Sequence, residues 1–248
     1  MSSDLGTRLG IQSWCFRGFK THEEVIQALA DCKVDKIELS AAHLKPAEES
    51  DMAAVLDLYR QAGVTVSSYG VFGIGEDEAS ARRMFEFAKL ADFPVLSADI
   101  GPGGLAVAER LCNEYGKKIA IHNHGRRHRL GPVWALQELF DQSSDNVGLC
   151  LDTAWMIDSG EDAVKVARQF ADRLYGVHLK DFVFDRAGKP EDVVVGEGNL
   201  DLRAMLTLLI EMGFDGYFTL EYEGDVDNPT PAVAACVQAI RKTLKLLG

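Results

Sequence analysis

Polar residues with metal-binding or proton-transfer chemistry recur in this chain at the ends of short apolar runs. Side chains on a strand alternate faces. In the run 118–124, Ile119 and Ile121 share one face, and Ala120, His122 and His124 share the other. Leu149 and Leu151 oppose Cys150 and Asp152; Val177 and Leu179 oppose His178 and Lys180. Leu220 and Tyr222 oppose Thr219, Glu221 and Glu223, while Ile37 and Leu39 oppose Lys36, Glu38 and Ser40. Buried charge needs a partner or a metal. His122, Asp152, His178 and Glu221 form a set of N and O donors suited to one divalent ion, Mn²⁺, Co²⁺, Zn²⁺ or Mg²⁺. The absence of a nearby thiolate pair argues against structural zinc, and Cys150 reads as packed core. Glu38 either joins this site or pairs with Lys36.

These runs belong to a longer alternation. Strand-like stretches cover 9–14, 36–40, 64–71, 95–100, 118–124, 147–153, 175–181 and 217–222. Each is followed by a helical pattern: one opened by Thr21 with Glu24 as a capping box, then 46–61, 76–90, 104–115, 132–140, 161–172, 200–212 and 231–247. Eight such units in 248 residues match a single-domain α/β protein of the (β/α)8 TIM-barrel class. A doubly wound open sheet would alternate in the same way. Two features favour the barrel: no Gly-x-Gly-x-x-Gly follows the first strand, and the polar residues gather at strand C-terminal ends, around one mouth.

Around that mouth, Trp14 is either core or a sugar-stacking platform. Arg126, Arg127, His128 and Arg129 overhang it after strand five and are either solvated or bind a phosphate or carboxylate. Tyr69 and Asp99 also end strands, with structural readings available to both. His22 reads as a surface residue, His43 as within reach of the mouth, and Glu223 as a solvated loop residue. Lys plus Arg total 26 against 38 Asp plus Glu, a net charge of −12, which lacks the footprint of nucleic-acid binding. No apolar run approaches the roughly 20 residues of a membrane span. The polar N-terminus and five scattered cysteines fit a reduced, cytoplasmic protein, and a homo-oligomer is compatible with the composition.

Together the strand-end motifs resemble the sugar phosphate isomerase/epimerase family, the xylose isomerase-like TIM barrels. They are Ile37-Glu38-Leu39, Ile121-His122-Asn123-His124-Gly125, Cys150-Leu151-Asp152-Thr153, Val177-His178-Leu179-Lys180-Asp181, Gly196-Glu197-Gly198 and Leu220-Glu221-Tyr222-Glu223. The resemblance implies one divalent cation, often Mn²⁺, with ligand roles on Asp152, His178 and Glu221. At strand five, His122 stands where Glu is common, as in the branch carrying Ile-His-Asn-His. That departure weakens a two-glutamate epimerase mechanism. Trp155 stands where His is usual, so a polar contact or additional ligand is lost there, and Trp155 becomes a candidate substrate-binding residue with Trp14 and Arg126. Endonuclease IV shares the fold but needs several zinc ions and more histidines.

The expected activity is a metal-dependent isomerase or epimerase acting on a keto-sugar or sugar phosphate through an enediolate. A keto-glycoside lyase or dehydratase shares that intermediate, and a sugar- or metal-binding barrel without catalysis is the alternative of another class. Glu221 is the first candidate base and Glu38 the second. Lys180 is placed to stabilise an oxyanion or return a proton, and His124 to act as acid for a leaving group.

Overall fold

The computed structural model describes residues 5–46 and 51–248. Eight parallel strand positions curl around one axis: β1 (Leu9–Gln12), β2 (Lys36–Leu39), β3 (Thr65–Tyr69), β4 (Val95–Ile100), β5 (Lys118–His122), β6 (Val147–Asp152), β7 (Leu174–Leu179) and β8 (Tyr217–Leu220). The third position is split. β3 pairs with β2, and a short continuation, Phe72–Ile74, pairs with β4. β1 pairs with both β2 and β8, so the pairing runs from β3 through β1 and β8 back to β4 and the continuation of strand three. At the break, Ser68 Oγ donates to the Val95 carbonyl at 3.0 Å. A Cβ on Gly70 would collide with the backbone of Ser97. Glycine there lets strand three approach β4.

The expected division of faces is observed. Ile37, Ile121, Leu149, Leu151, Val177 and Leu220 are fully buried in the apolar core shared with the helices. Burial of side chains of this size is worth roughly 1.5–3 kcal/mol each. The inner face carries the polar set. Below it lie Ala120, Cys150, Tyr175 and Tyr217 in a separate apolar cluster. A Cβ on Gly148 would strike the Tyr175 ring, and one on Gly176 the Tyr217 ring. Small residues on β6 and β7 thus make room for two tyrosines beneath the histidines. The register slips between Leu149 and Cys150, opposite Leu174 and Gly176, which turns Tyr175 toward Gly148.

The helices start where local chemistry dictates. Thr21 and Glu24 form the expected capping box. Asp51, Asp77, Asp162 and Asp201 each accept a helix N–H with their side chains, a cap worth about 1 kcal/mol. The helix expected over 46–61 is described from Met52 to Gln61, and residues 47–50 lie outside the described residues.

Some boundaries differ from the pattern. β5 stops at His122, and β7 ends at Leu179. Asp152 caps a short helix, Thr153–Asp158, before the expected one, which shrinks to Ala163–Gln169. After β7 an antiparallel hairpin joins Phe182–Phe184 to Pro190–Asp192. Its tip is organised by Asp185, whose Oδ1 accepts from the amides of Ala187 and Lys189. Asp181 accepts four backbone N–H groups, from Gly196, Gly198, Asn199 and Leu200, and so holds the next loop against the barrel end. All five cysteines are buried and free. No helix among the described residues is long and apolar enough to cross a membrane.

Candidate active site

His122, Asp152, His178 and Glu221 meet at the C-terminal end of the barrel. Each offers a ligand atom, and these atoms lie within 4.8 Å of one another, all on buried residues. His122 Nε2 is 3.5 Å from Asp152 Oδ2, and His178 Nδ1 is 3.5 Å from Glu221 Oε2. Both His122 ring nitrogens, Asp152 Oδ2 and His178 Nδ1 are buried without a hydrogen-bond partner. Orphaned buried polar atoms are costly and call for an explanation. A divalent cation among two imidazoles and two carboxylates accounts for them, so the residues present fit such an ion.

Two side chains just past the strands align this set. Asn123 donates to the Asp152 carbonyl at 3.0 Å and accepts the Asp152 amide at 2.8 Å. Thr153 does the same for Lys180, donating to its carbonyl at 2.6 Å and accepting its amide at 2.9 Å. Each side chain replaces a ladder partner and extends the sheet by one residue. The remaining oxygen of Asp152, Oδ1, accepts the Trp155 amide at 2.8 Å, which leaves Oδ2 to face His122.

Glu38 is not placed to be a base. It is fully buried, and its Oε2 accepts from His178 Nε2 at 2.6 Å. Nor does it pair with Lys36, whose ammonium meets Asp35. A carboxylate on the far ring nitrogen fixes the tautomer that presents Nδ1 as a lone pair. Glu38→Ala should therefore weaken metal binding by roughly 10- to 100-fold, with Glu38→Gln intermediate. Titration of the metal-free protein with Mn²⁺ checks this; unchanged affinity in the alanine variant would remove Glu38 from the site.

Lys180 is also fully buried. Its ammonium lies 3.6 Å from Glu221 Oε2 and 3.9 Å from Asp192 Oδ1, and it pairs directly with Glu223. Burial alone would lower its pKa, but Glu221, Asp152, Glu223 and Asp192 more than offset this and hold it above the ordinary lysine value. Glu221 shows the converse: burial raises its pKa, yet the Lys180 ammonium keeps it well below the usual range. Lys180 is thus a cation and Glu221 an anion at neutral pH. Glu223, expected in solvent, instead joins Lys180 to the Trp14 indole, which donates to it at 3.0 Å. Asp192 arrives from the hairpin and was not legible in the sequence. Burial raises its pKa to about 6 against the pull of Lys180.

A cavity of about 290 Å³ opens over this cluster, lined by Trp14, His122, His124, Trp155, Glu221 and Glu223 among others. The His124 ring lies 4.9 Å from that of His122 and 4.1 Å from that of His128. Burial, then His122 and His128, pushes its pKa down to about 3, so His124 is neutral at physiological pH. Arg126 lines an adjoining cavity of about 570 Å³, whose walls include Trp155 and His124 as well.

The profile of a known family, the xylose isomerase-like TIM barrel, matches residues 104–243, more than half of the chain. The chain belongs to the xylose isomerase-like TIM barrels. Inosose dehydratase of Clostridium perfringens is 29% identical over 166 residues, 58% of this chain and 52% of that enzyme. The chain spans about half the length of the curated relatives it matches. Among solved structures, the IolI protein with a bound zinc atom superposes with a TM-score of 0.77 at 14% identity, covering 96% of this chain and 98% of that one. L-ribulose 3-epimerase superposes at 0.74 with 18% identity, covering 96% and 94%. At these identities the superpositions speak for the fold.

Other polar residues of this xylose isomerase-like barrel have local duties. Arg129 is bound to Asp99 at 2.8 Å, and His128 faces the same carboxylate at 3.4 Å. Tyr69 donates to the Leu44 carbonyl at 2.9 Å. His22 is half-buried rather than on the surface, with Nδ1 3.0 Å from the Tyr59 hydroxyl. His43 bonds the Phe16 carbonyl at 3.1 Å, and burial lowers its pKa to about 4. It is absent from the lining of the cavity over the cluster.

Proposed function

We propose that this barrel is a divalent-metal-dependent dehydratase acting on a keto-sugar or keto-cyclitol. The observation that carries the reading is the 3.6 Å separation of Lys180 Nζ and Glu221 Oε2 beside the His122–Asp152–His178 cluster. A metal bound there supplies Lewis acidity at a carbonyl oxygen. Glu221, held ionised, accepts the proton from the carbon next to the ketone. Lys180, held cationic 3.6 Å from Glu221, gives a proton to the hydroxyl on the following carbon as its C–O bond breaks. The products are an unsaturated ketone and water, and Glu221 returns its proton to Lys180. Trp14 and Trp155 line the cavity and give apolar surface for the carbon skeleton.

An acid and a base 3.6 Å apart suit loss of H and OH from one face. Epimerisation needs proton donors on both faces, and His122 stands where a second glutamate would serve. The inosose dehydratase relatives support the same reading. A second reading, isomerisation or epimerisation, draws on His124 in the lining of the same cavity. The neutral ring, taking a proton from water at one nitrogen and passing one to carbon from the other while Glu221 neutralises the hydroxide left behind, would re-form a ketone before the β-hydroxyl leaves.

Incubation of the Mn²⁺-loaded protein with a ketoinositol and with simple ketoses in D₂O tests these. Dehydration should produce ultraviolet absorbance from a conjugated ketone. Deuterium at the α-carbon without water loss would favour the epimerase. Neither signal with Mn²⁺, Co²⁺, Zn²⁺ or Mg²⁺ would sink both.

A further inference from the structure

We propose that the groove beside the metal pocket is a second subsite, which holds an anionic group, phosphate or carboxylate, carried by the substrate away from its ketone. The proposal rests on the keto-sugar reading of the neighbouring cavity. The chain as a whole carries a net charge of −12. The groove inverts that sign. Three permanent cations line it, Arg126, Arg127 and Lys189, against one carboxylate, Asp158.

That carboxylate is already committed. Asp158 is buried, its Oδ2 accepts the Arg126 amide at 2.9 Å, and its Oδ1 lies 3.3 Å from Arg126 Nη2. Arg126 also donates to the Gly188 carbonyl at the hairpin tip. Arg126 therefore braces the loop after β5 against the hairpin and forms a wall. Arg127 and Lys189 are exposed, and neither forms an ion pair among the described residues. They line the groove together with the apolar surfaces of Trp155 and Pro190. Cations beside low-dielectric surface focus the field on whatever enters. Arg offers a planar fork and Lys a compact charge, both matched to phosphate and carboxylate oxygens.

Continuity with the catalytic pocket makes this a subsite. His124 and Trp155 line both cavities. The pocket over the metal ligands, about 290 Å³, sits at the lower edge of the roughly 300–1,000 Å³ of small-molecule sites. With the groove added, the space accommodates a substrate longer than the ring that presents the ketone. Two further carboxylates lie nearby but do not line the groove: Asp185 at the hairpin tip, which accepts the Lys189 amide and feels its charge, and Asp99, which is held by Arg129.

Calorimetric binding to the Mn²⁺-loaded chain tests this with four probes: fructose, fructose 6-phosphate, a keto-uronate and inorganic phosphate. The charged ketoses should bind about 10-fold or more tightly than fructose at low salt, and the gap should narrow as salt rises. Whichever of the phosphate and carboxylate arms binds tighter identifies the anion. In the Arg127→Gln/Lys189→Gln double variant, the gap should fall to within about twofold, with fructose affinity and metal content unchanged. Equal affinity for neutral and charged ketoses in the unmodified protein would overturn the proposal. So would a preference that survives the double variant, since the anion would then sit on the metal. Phosphate bound through Arg127 and Lys189, with no ketose bound at all, would keep the anion subsite and overturn the keto-sugar reading beside it.

Discussion

Asp152→Asn and His178→Ala proteins should each purify with little bound metal, where the unmodified chain should carry about one divalent ion. Outer partners of metal ligands are worth about 10- to 100-fold in affinity, so loss of a ligand itself should cost at least as much. Asparagine is the cleaner change at position 152. Asp152 Oδ1 also accepts the Trp155 amide and caps a short helix. Asparagine keeps that cap but loses the charge on the oxygen facing His122. Elemental analysis after dialysis reads the result directly, and full metal content in both variants would place the site elsewhere. The same ion should stabilise the fold. Binding at 100 times Kd adds about 2.7 kcal/mol, so a chelator should lower the melting temperature.

Lys180→Met should reduce turnover on a ketose or ketoinositol substrate on the order of 10²-fold or more, the scale of general acid–base groups. It should also destabilise the chain by about 3–5 kcal/mol, because the carboxylates of Glu221 and Glu223 lose their buried counter-ion. The two effects separate experimentally. Urea denaturation reports the second, and kcat measured under conditions where the variant is folded and metal-loaded reports the first. A variant that is less stable but turns over normally would make Lys180 a structural cation. Deuterium exchange at the substrate α-carbon adds a third readout. If Glu221 removes that proton, exchange should persist in Lys180→Met while water loss fails.

The inward-facing ligands were legible because strand periodicity is local. Once Ile121 and Leu151 face the helices, His122 and Asp152 must face the axis. Glu38 shows where that reasoning stops. Its partner His178 is 140 residues away, and no local pattern distinguishes a carboxylate that touches substrate from one that orients a ligand. Asn123 lies on an otherwise aliphatic face, which was an available sign of a special role, but its bond to the backbone of Asp152 depends on the register between two strands. Asp192 was hidden by its hairpin, whose alternating segment Phe182–Phe184 is only three residues long.

What the amino-acid order alone determined was the repeat of strand and helix, the face on which each polar side chain lies, and the donor set at the strand ends. These follow from the period of the backbone and from the cost of burying charge without a partner. Tertiary structure decided the contacts. It put Glu38 behind His178, surrounded Lys180 with carboxylates from the segment after β8 and from the hairpin, drew Arg129 away to Asp99, and left Arg127 and Lys189 lining a groove. Closure of the barrel sets distances between residues far apart in sequence. Coulomb and hydrogen-bond energies fall steeply over a few ångströms, so those distances separate a base from a positioning residue and a solvated cation from a binding one.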